Sequence, residues 1–163
     1  MGWRLAFTSY GGAAGPPGPA GPVGPAGPPG PAGNAAPLTN DEGATIAVCQ
    51  PVYSSSSGKV KLGRADAAAT SIVAGLVSDA TIANGAIGNV QSAGFMTKTT
   101  AQWDAQTGDV GGLVPGAQYW LSDVTAGKLV KVAPGAGSYD TLIGQALSAT
   151  EMQLTIEQPL GPI

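Results

Sequence analysis

Glycine recurs at every third residue from position 12 to position 33. Gly12, Gly15, Gly18, Gly21, Gly24, Gly27, Gly30 and Gly33 keep one register, and proline follows each of them from Gly15 to Gly30. A flexible spacer uses glycine but has no reason to hold it at a fixed period. A stiff single-chain proline linker accounts for the prolines and leaves the period unexplained. A collagen-type triple helix requires both. Three polyproline-like strands wind about one axis, and only a residue without a side chain fits where each strand meets it. The prolines pre-set φ and reduce the entropy lost on assembly. Residues 12–35 then make a rod of about 70 Å, at roughly 3 Å per residue. So short a rod needs a neighbouring domain to gather the three chains, after which the strands meet at high effective concentration. The register predicts a trimer seeded from the C-terminal side.

Composition excludes several classes of function. The 163 residues leave one domain of ordinary size after the stalk. The seven Lys and Arg residues are scattered, the net charge is −3, and no basic stripe for nucleic acid exists. No apolar run is long enough to insert in a membrane. MGWRLAFTSY lacks the pattern of a signal peptide, and Ala6 stands where myristoylation wants Ser or Thr. Histidine is absent, which removes the commonest general base and metal ligand. Cys49 is the single cysteine, in the strand-like run ATIAVCQPVY, and reads as a buried inert thiol. Gly58-Lys59 and Gly127-Lys128 lack the flanking residues of a phosphate loop and read as turns between strands. The acidic residues are dispersed apart from Asp41-Glu42 in the stalk exit. No catalytic residue, metal ligand or cofactor is assigned, and the chain reads as a non-enzyme.

From about Gly43 the texture changes to short apolar runs broken by Gly, Ser, Asn and Asp. GATIAVCQPVY, GKVKL, SIVAGLVS, GAIGNVQSAGFM, AQYWLS, GKLVKV, TLIGQALS and EMQLTIEQP read as strands. Alternation is clearest in GKLVKV and MQLTIE. DAAATSI (66–72) is the one place where a helical turn is expected, and TTAQWDAQTGD reads as a loop. The domain is predicted to be all-β, a small trimeric barrel or sandwich preceded by the triple helix. Its two halves echo each other: PVYSSSSGKVKL is answered by AQYWLSDVTAGKLVKV, and SIVAGLVS by TLIGQALS. This sets Tyr53 against Tyr119, Gly58 against Gly127, Gly75 against Gly144 and Ser78 against Ser148. Duplication and common hairpin chemistry both explain the echo.

GLVPGAQYWLSDVTAGKLVKVAP followed by LIGQALSATEMQLTI resembles the terminal β-domain of many tailed-bacteriophage structural proteins. ATIAVCQPVY and IVAGLVSDATIANGAIGNVQSAGFM are similar to small capsid cement proteins of such phages. The resemblance covers nearly all of 43–163. It implies a virion protein located at the capsid surface, as a head fibre or capsid decoration protein, or else part of a tail fibre. Cement proteins generally lack such a stalk, so head and tail both remain open.

The first ten residues carry Trp3, Phe7 and Tyr10 beside Arg4, although aromatics make up only 6% of the chain. Ten residues cannot build a core, and aromatics with arginine are common interface anchors. Residues 1–11 are therefore expected to be a virion-attachment arm that grips the major capsid protein or another virion protein. A plug of three arms at the stalk's start is the alternative. Of the remaining tryptophans, Trp120 is expected in core or inter-subunit packing. Trp103 is a candidate surface-binding residue, with core packing as the other reading. The expected organisation is an arm at 1–11, a stalk at 12–35 and an all-β trimerisation and decoration domain at 36–163. Its partners are two further copies of itself and a virion protein, with host-surface glycans in the tail-fibre reading.

Overall fold

The computed structural model describes residues 1, 2, 11, 35–159, 161 and 162. The stalk glycines Gly12 to Gly33 and the attachment candidates Trp3, Arg4, Phe7 and Tyr10 lie outside the described residues. The chain divides into two compact units, Met1–Gly30 and Pro31–Ile163. The described residues of the second unit are mostly β-structure with two short helices.

β1 (Ala35–Asn40) begins two residues after Gly33. It is followed by β2 (Ile46–Ala47), β3 (Pro51–Ser56), β4 (Lys59–Leu62), the single helical turn α1 (Ala68–Ser71), β5 (Val73–Val77), β6 (Thr81–Ile82) and β7 (Ile87–Gln91). The order β1-β4-β3-β5-β7, with β7 paired back onto β1, closes a five-stranded barrel. Closure comes through the parallel pair β1–β4, with Thr39 opposite Lys59 and Asn40 opposite Val60; the other pairs are antiparallel. Side chains alternate across each strand. Val52, Val60, Val77 and Val90 are thereby buried together, joined by Ile46 and Ile82 of the small β2–β6 pair. Compact β-branched residues suit so narrow an interior, and each one buried contributes about 1.5–3 kcal/mol. Asn40, also buried, donates its amide to Ala44 O at 2.8 Å and Ile82 O at 2.7 Å, which fixes the exit of β1.

The second half repeats this plan. It comprises β8 (Ala93–Thr97), α2 (Thr100–Thr107), β9 (Gln118–Leu121), β10 (Leu129–Val130), β11 (Leu142–Ala146) and β12 (Glu151–Glu157). The sheet order β10-β9-β11-β12-β8 is the barrel's β4-β3-β5-β7-β1 with each strand exchanged for its counterpart. Registers agree as well. Gly75 lies opposite Val52 and Gly144 opposite Tyr119, and both pairings shift register there. Gly58 and Gly127 turn the two hairpins with the same φ of 71°. The sequence alignment of Tyr53 with Tyr119 is corrected by one residue: Val52 answers Tyr119 and Tyr53 answers Trp120. Ser78 answers Leu147 rather than Ser148, each donating its N–H at 2.9 Å, to Asn89 O and Glu151 O respectively.

Where the barrel closes, the second sheet does not. Thr39 and Asn40 pair with β4, whereas the corresponding Thr99 and Thr100 turn the chain into α2. Thr99 is the N-cap: its hydroxyl accepts from Gln102 N–H at 3.3 Å while Gln102 Oε1 accepts from Thr99 N–H at 2.9 Å. Gly108, at φ 73°, ends the helix. This overturns the loop expected across TTAQWDAQTGD, because a reciprocal cap sustains a helix that has no apolar stripe. Two further runs differ from expectation. ATIAVCQPVY breaks into β2 and β3 at Cys49, whose φ is 64°, and GKLVKV contributes only Leu129–Val130. The helical turn expected within 66–72 is α1.

A second core joins the halves. Met96, Trp103, Tyr119, Ile143 and Met152 pack in one cluster with Cys49, Val73 and Leu76 from the barrel half. Backbone bonds cross the same seam, from Ala65 N–H to Ser122 O at 2.9 Å and from Gly127 N–H to Gly63 O at 2.8 Å.

Candidate functional site

Trp103 is not at the surface. It is fully buried on α2, and its indole Nε1–H donates to Thr150 O at 3.1 Å. On the next residue, the Asp104 carboxylate accepts from Gly112 N–H at 2.6 Å and Gly111 N–H at 3.1 Å, pinning the following loop. The indole belongs to the core between the halves and is not a surface-binding residue. The capped helix turns the ring inward, where its N–H is satisfied, and that is the physical reason.

Trp120 takes the opposite role. In β9 its neighbours Tyr119 and Leu121 point inward, so Trp120 falls on the outer face and is half-buried. A row of paired residues crosses this face: Val130, Trp120, Leu142 and Glu157, on β10, β9, β11 and β12. Beside Trp120 an open cleft of about 460 Å³ is lined by Asp140, Leu142, Glu157, Gln158, Gly161 and Pro162. Gln158 is held in place by its amide, which donates to Val73 O at 3.0 Å. Tyr139 and Pro162 form an isolated bridge at the cleft's edge. Asp140 Oδ1 is buried without a hydrogen-bond partner among the described residues. An indole face flanked by two carboxylates and an amide offers apolar stacking next to several hydrogen-bond acceptors. That combination suits an uncharged polyhydroxylated ligand. Alternation in QYWL was the signal that could have placed this ring outward.

Two other clusters are structural. Tyr119, buried in the core, accepts at its hydroxyl from Val114 N–H at 2.9 Å and donates to Asp109 Oδ2 at 3.3 Å. Lys131 Nζ reaches Asp109 Oδ1 at 2.7 Å. Burial, chiefly, raises the Tyr119 hydroxyl above its ordinary pKa, and the hydrogen bond to Asp109 raises Lys131. Cys49 is fully buried, as expected, and donates its N–H to Val77 O at 2.9 Å. Burial pushes its thiol up to about 12, so it stays protonated and unreactive at neutral pH.

Among the described residues no group of three or more His, Cys, Asp or Glu is placed to hold a metal ion. No helix among them is long and apolar enough to cross a membrane. No model of a known protein family matches the chain, and no curated protein does.

Proposed function

We propose that this chain is a structural protein of a tailed-phage virion: a homotrimeric head fibre or capsid decoration protein. Its first residues grip the particle, the collagen-like stalk spaces it, and the β-domain forms the distal end. The observation that carries this reading is the glycine register from Gly12 to Gly33 running directly into β1 at Ala35. A period of three has a use only when three chains share an axis. Trp3, Arg4, Phe7 and Tyr10 supply the interface anchors, and the major capsid protein or a neighbouring virion protein receives them. Gold-labelled antibody against residues 36–163, applied to intact particles, tests the assignment. Label distributed over the head is expected; label confined to the tail contradicts it.

A tail fibre or adhesin that binds host-surface glycans is the second reading, favoured by the Trp120 cleft. A pyranose ring stacks its C–H face on indole while Asp140, Glu157 and Gln158 take its hydroxyls. In this reading the full chain retains a neutral glycan on an array, and Trp120→Ala abolishes the signal. An array without binding removes the second reading and leaves the first.

A further inference from the structure

The chain enters the β-domain beside the crossing between its two halves. Ala35, the first residue of β1, lies opposite Gln91, the last residue of β7. Two residues later β8 begins at Ala93. The Gln91 side chain is buried and spans this corner, its amide donating to Ala93 O at 3.1 Å and to Phe95 O at 3.0 Å. Among the described residues β8 pairs with β12 alone and forms one edge of its sheet, and Lys98 N–H, bonded to Thr150 O, sets the alternation that leaves these two carbonyls on the outer side. Gln91 therefore occupies hydrogen-bonding positions that would otherwise recruit a foreign strand.

What the edge leaves open is a side chain. Phe95 is 61% exposed, and few residues of its size in the described structure are so open. Its row across the sheet is Phe95, Gln153, Gln145 and Gln118, all exposed and none charged. Copies of a chain with net charge −3 can approach along such a row without bringing like charges together. The glycine period ends at Gly33, two residues before β1, so chains leaving a shared axis deliver their Ala35 residues close to one another.

We infer that the β8 edge, with Phe95 as its aromatic anchor, is the surface through which this chain meets the second and third copies of itself. The inference rests on the three-chain reading and names where the domain seeds the trimer. Three phenylalanines meeting near the axis bury their rings against each other and against the glutamine rows. Because each ring starts 61% exposed, it withdraws at most about that fraction of the roughly 150–250 Å² an aromatic side chain buries.

The test uses the full chain with Phe95→Cys and a short bismaleimide cross-linker. The native Cys49 is fully buried and does not compete for the reagent. Val124→Cys is the control: Val124 is 79% exposed and precedes β10, at the opposite edge of the sheet from β8. The expected result is a trimer mass by light scattering, a covalent dimer band from Phe95→Cys, and none from Val124→Cys. A trimer mass with no Phe95→Cys dimer, or with equal dimer from both variants, overturns this interface while the trimer stands. A single-chain mass overturns the three-chain reading and this inference with it.

Discussion

Gly75 and Gly144 occupy the same place in the two halves of the domain. A methyl group on Gly75 would stand 2.5 Å from the carbonyl oxygen of Gln91, and one on Gly144 would press still closer to that of Gln153. Gly144 lies at a register shift against β12, whose backbone it meets, whereas Gly75 lies at a register shift against β3 and meets the backbone of β7 on its other side. Backbone cannot rotate out of the way as a side chain can. Gly75→Ala and Gly144→Ala are each expected to cost about 2–3 kcal/mol in urea unfolding. Gly58→Ala has open space and only its φ of 71° against it, and is expected to cost about 1 kcal/mol. Equal losses at all three positions would contradict the close approach as what makes Gly75 and Gly144 costly to replace.

Trp103→Ala removes a fully buried indole and is expected to lose about 3–5 kcal/mol. Trp103→Phe keeps most of the volume and takes away one of the two donors to Thr150 O, which retains Lys98 N–H at 2.8 Å, so its loss should be smaller. Thr99→Ala, which breaks the reciprocal cap with Gln102, is expected to lose about 1 kcal/mol. Thermal unfolding of the three variants checks the ordering. A Trp103→Ala domain that melts like the native one would contradict the core assignment.

Residues differ in how plainly they announce their structure. β12 was legible because Met152 and Leu154 point in while Gln153 and Thr155 point out, a period no helix shares. β1 was not: AAPLTN has no alternation, and it is held by backbone pairing and by the buried Asn40 amide. On α2 only Trp103 and Gln106 are buried, so no stripe of apolar residues marks it; the Thr99–Gln102 pair was the available sign. The turn at Cys49 was hidden within a continuous apolar run, since a left-handed cysteine leaves no trace in composition. The echo between the halves was visible, but its alignment slipped by one because Tyr53 and Tyr119 are chemically alike and occupy different registers.

Alkaline pH should weaken the fold through Cys49. Its folded-state pKa is raised from 9.0 to about 12, so the stabilisation is complete below pH 9 and is lost as pH climbs from there towards 12. The expected slope over that window is about 1.4 kcal/mol per pH unit. Cys49→Ala should flatten this limb in urea unfolding measured at several pH values. An unchanged slope would assign the alkaline loss to other groups.

Tyr119→Phe deprives Val114 N–H of its acceptor and Asp109 of a donor within the second half of the domain. The expected loss is about 1–3 kcal/mol at neutral pH. Because burial raises the tyrosine's pKa, its native contribution is complete below the ordinary tyrosine range and declines as pH rises through it; the Phe variant lacks that decline. Lys131→Met removes an ion pair whose lysine is exposed and should cost under about 1 kcal/mol. Comparable losses for the two variants would mean that the ion pair, not the buried hydroxyl, holds the 109–114 loop.

The central claim is that three chains form one fibre, and the mass of the full-length chain in dilute solution tests it most directly. Light scattering is expected to give three times the single-chain mass of 15.9 kDa, and Gly24→Ala should lower the temperature at which the stalk melts. A species of one chain's mass, unchanged as concentration rises, would contradict the account.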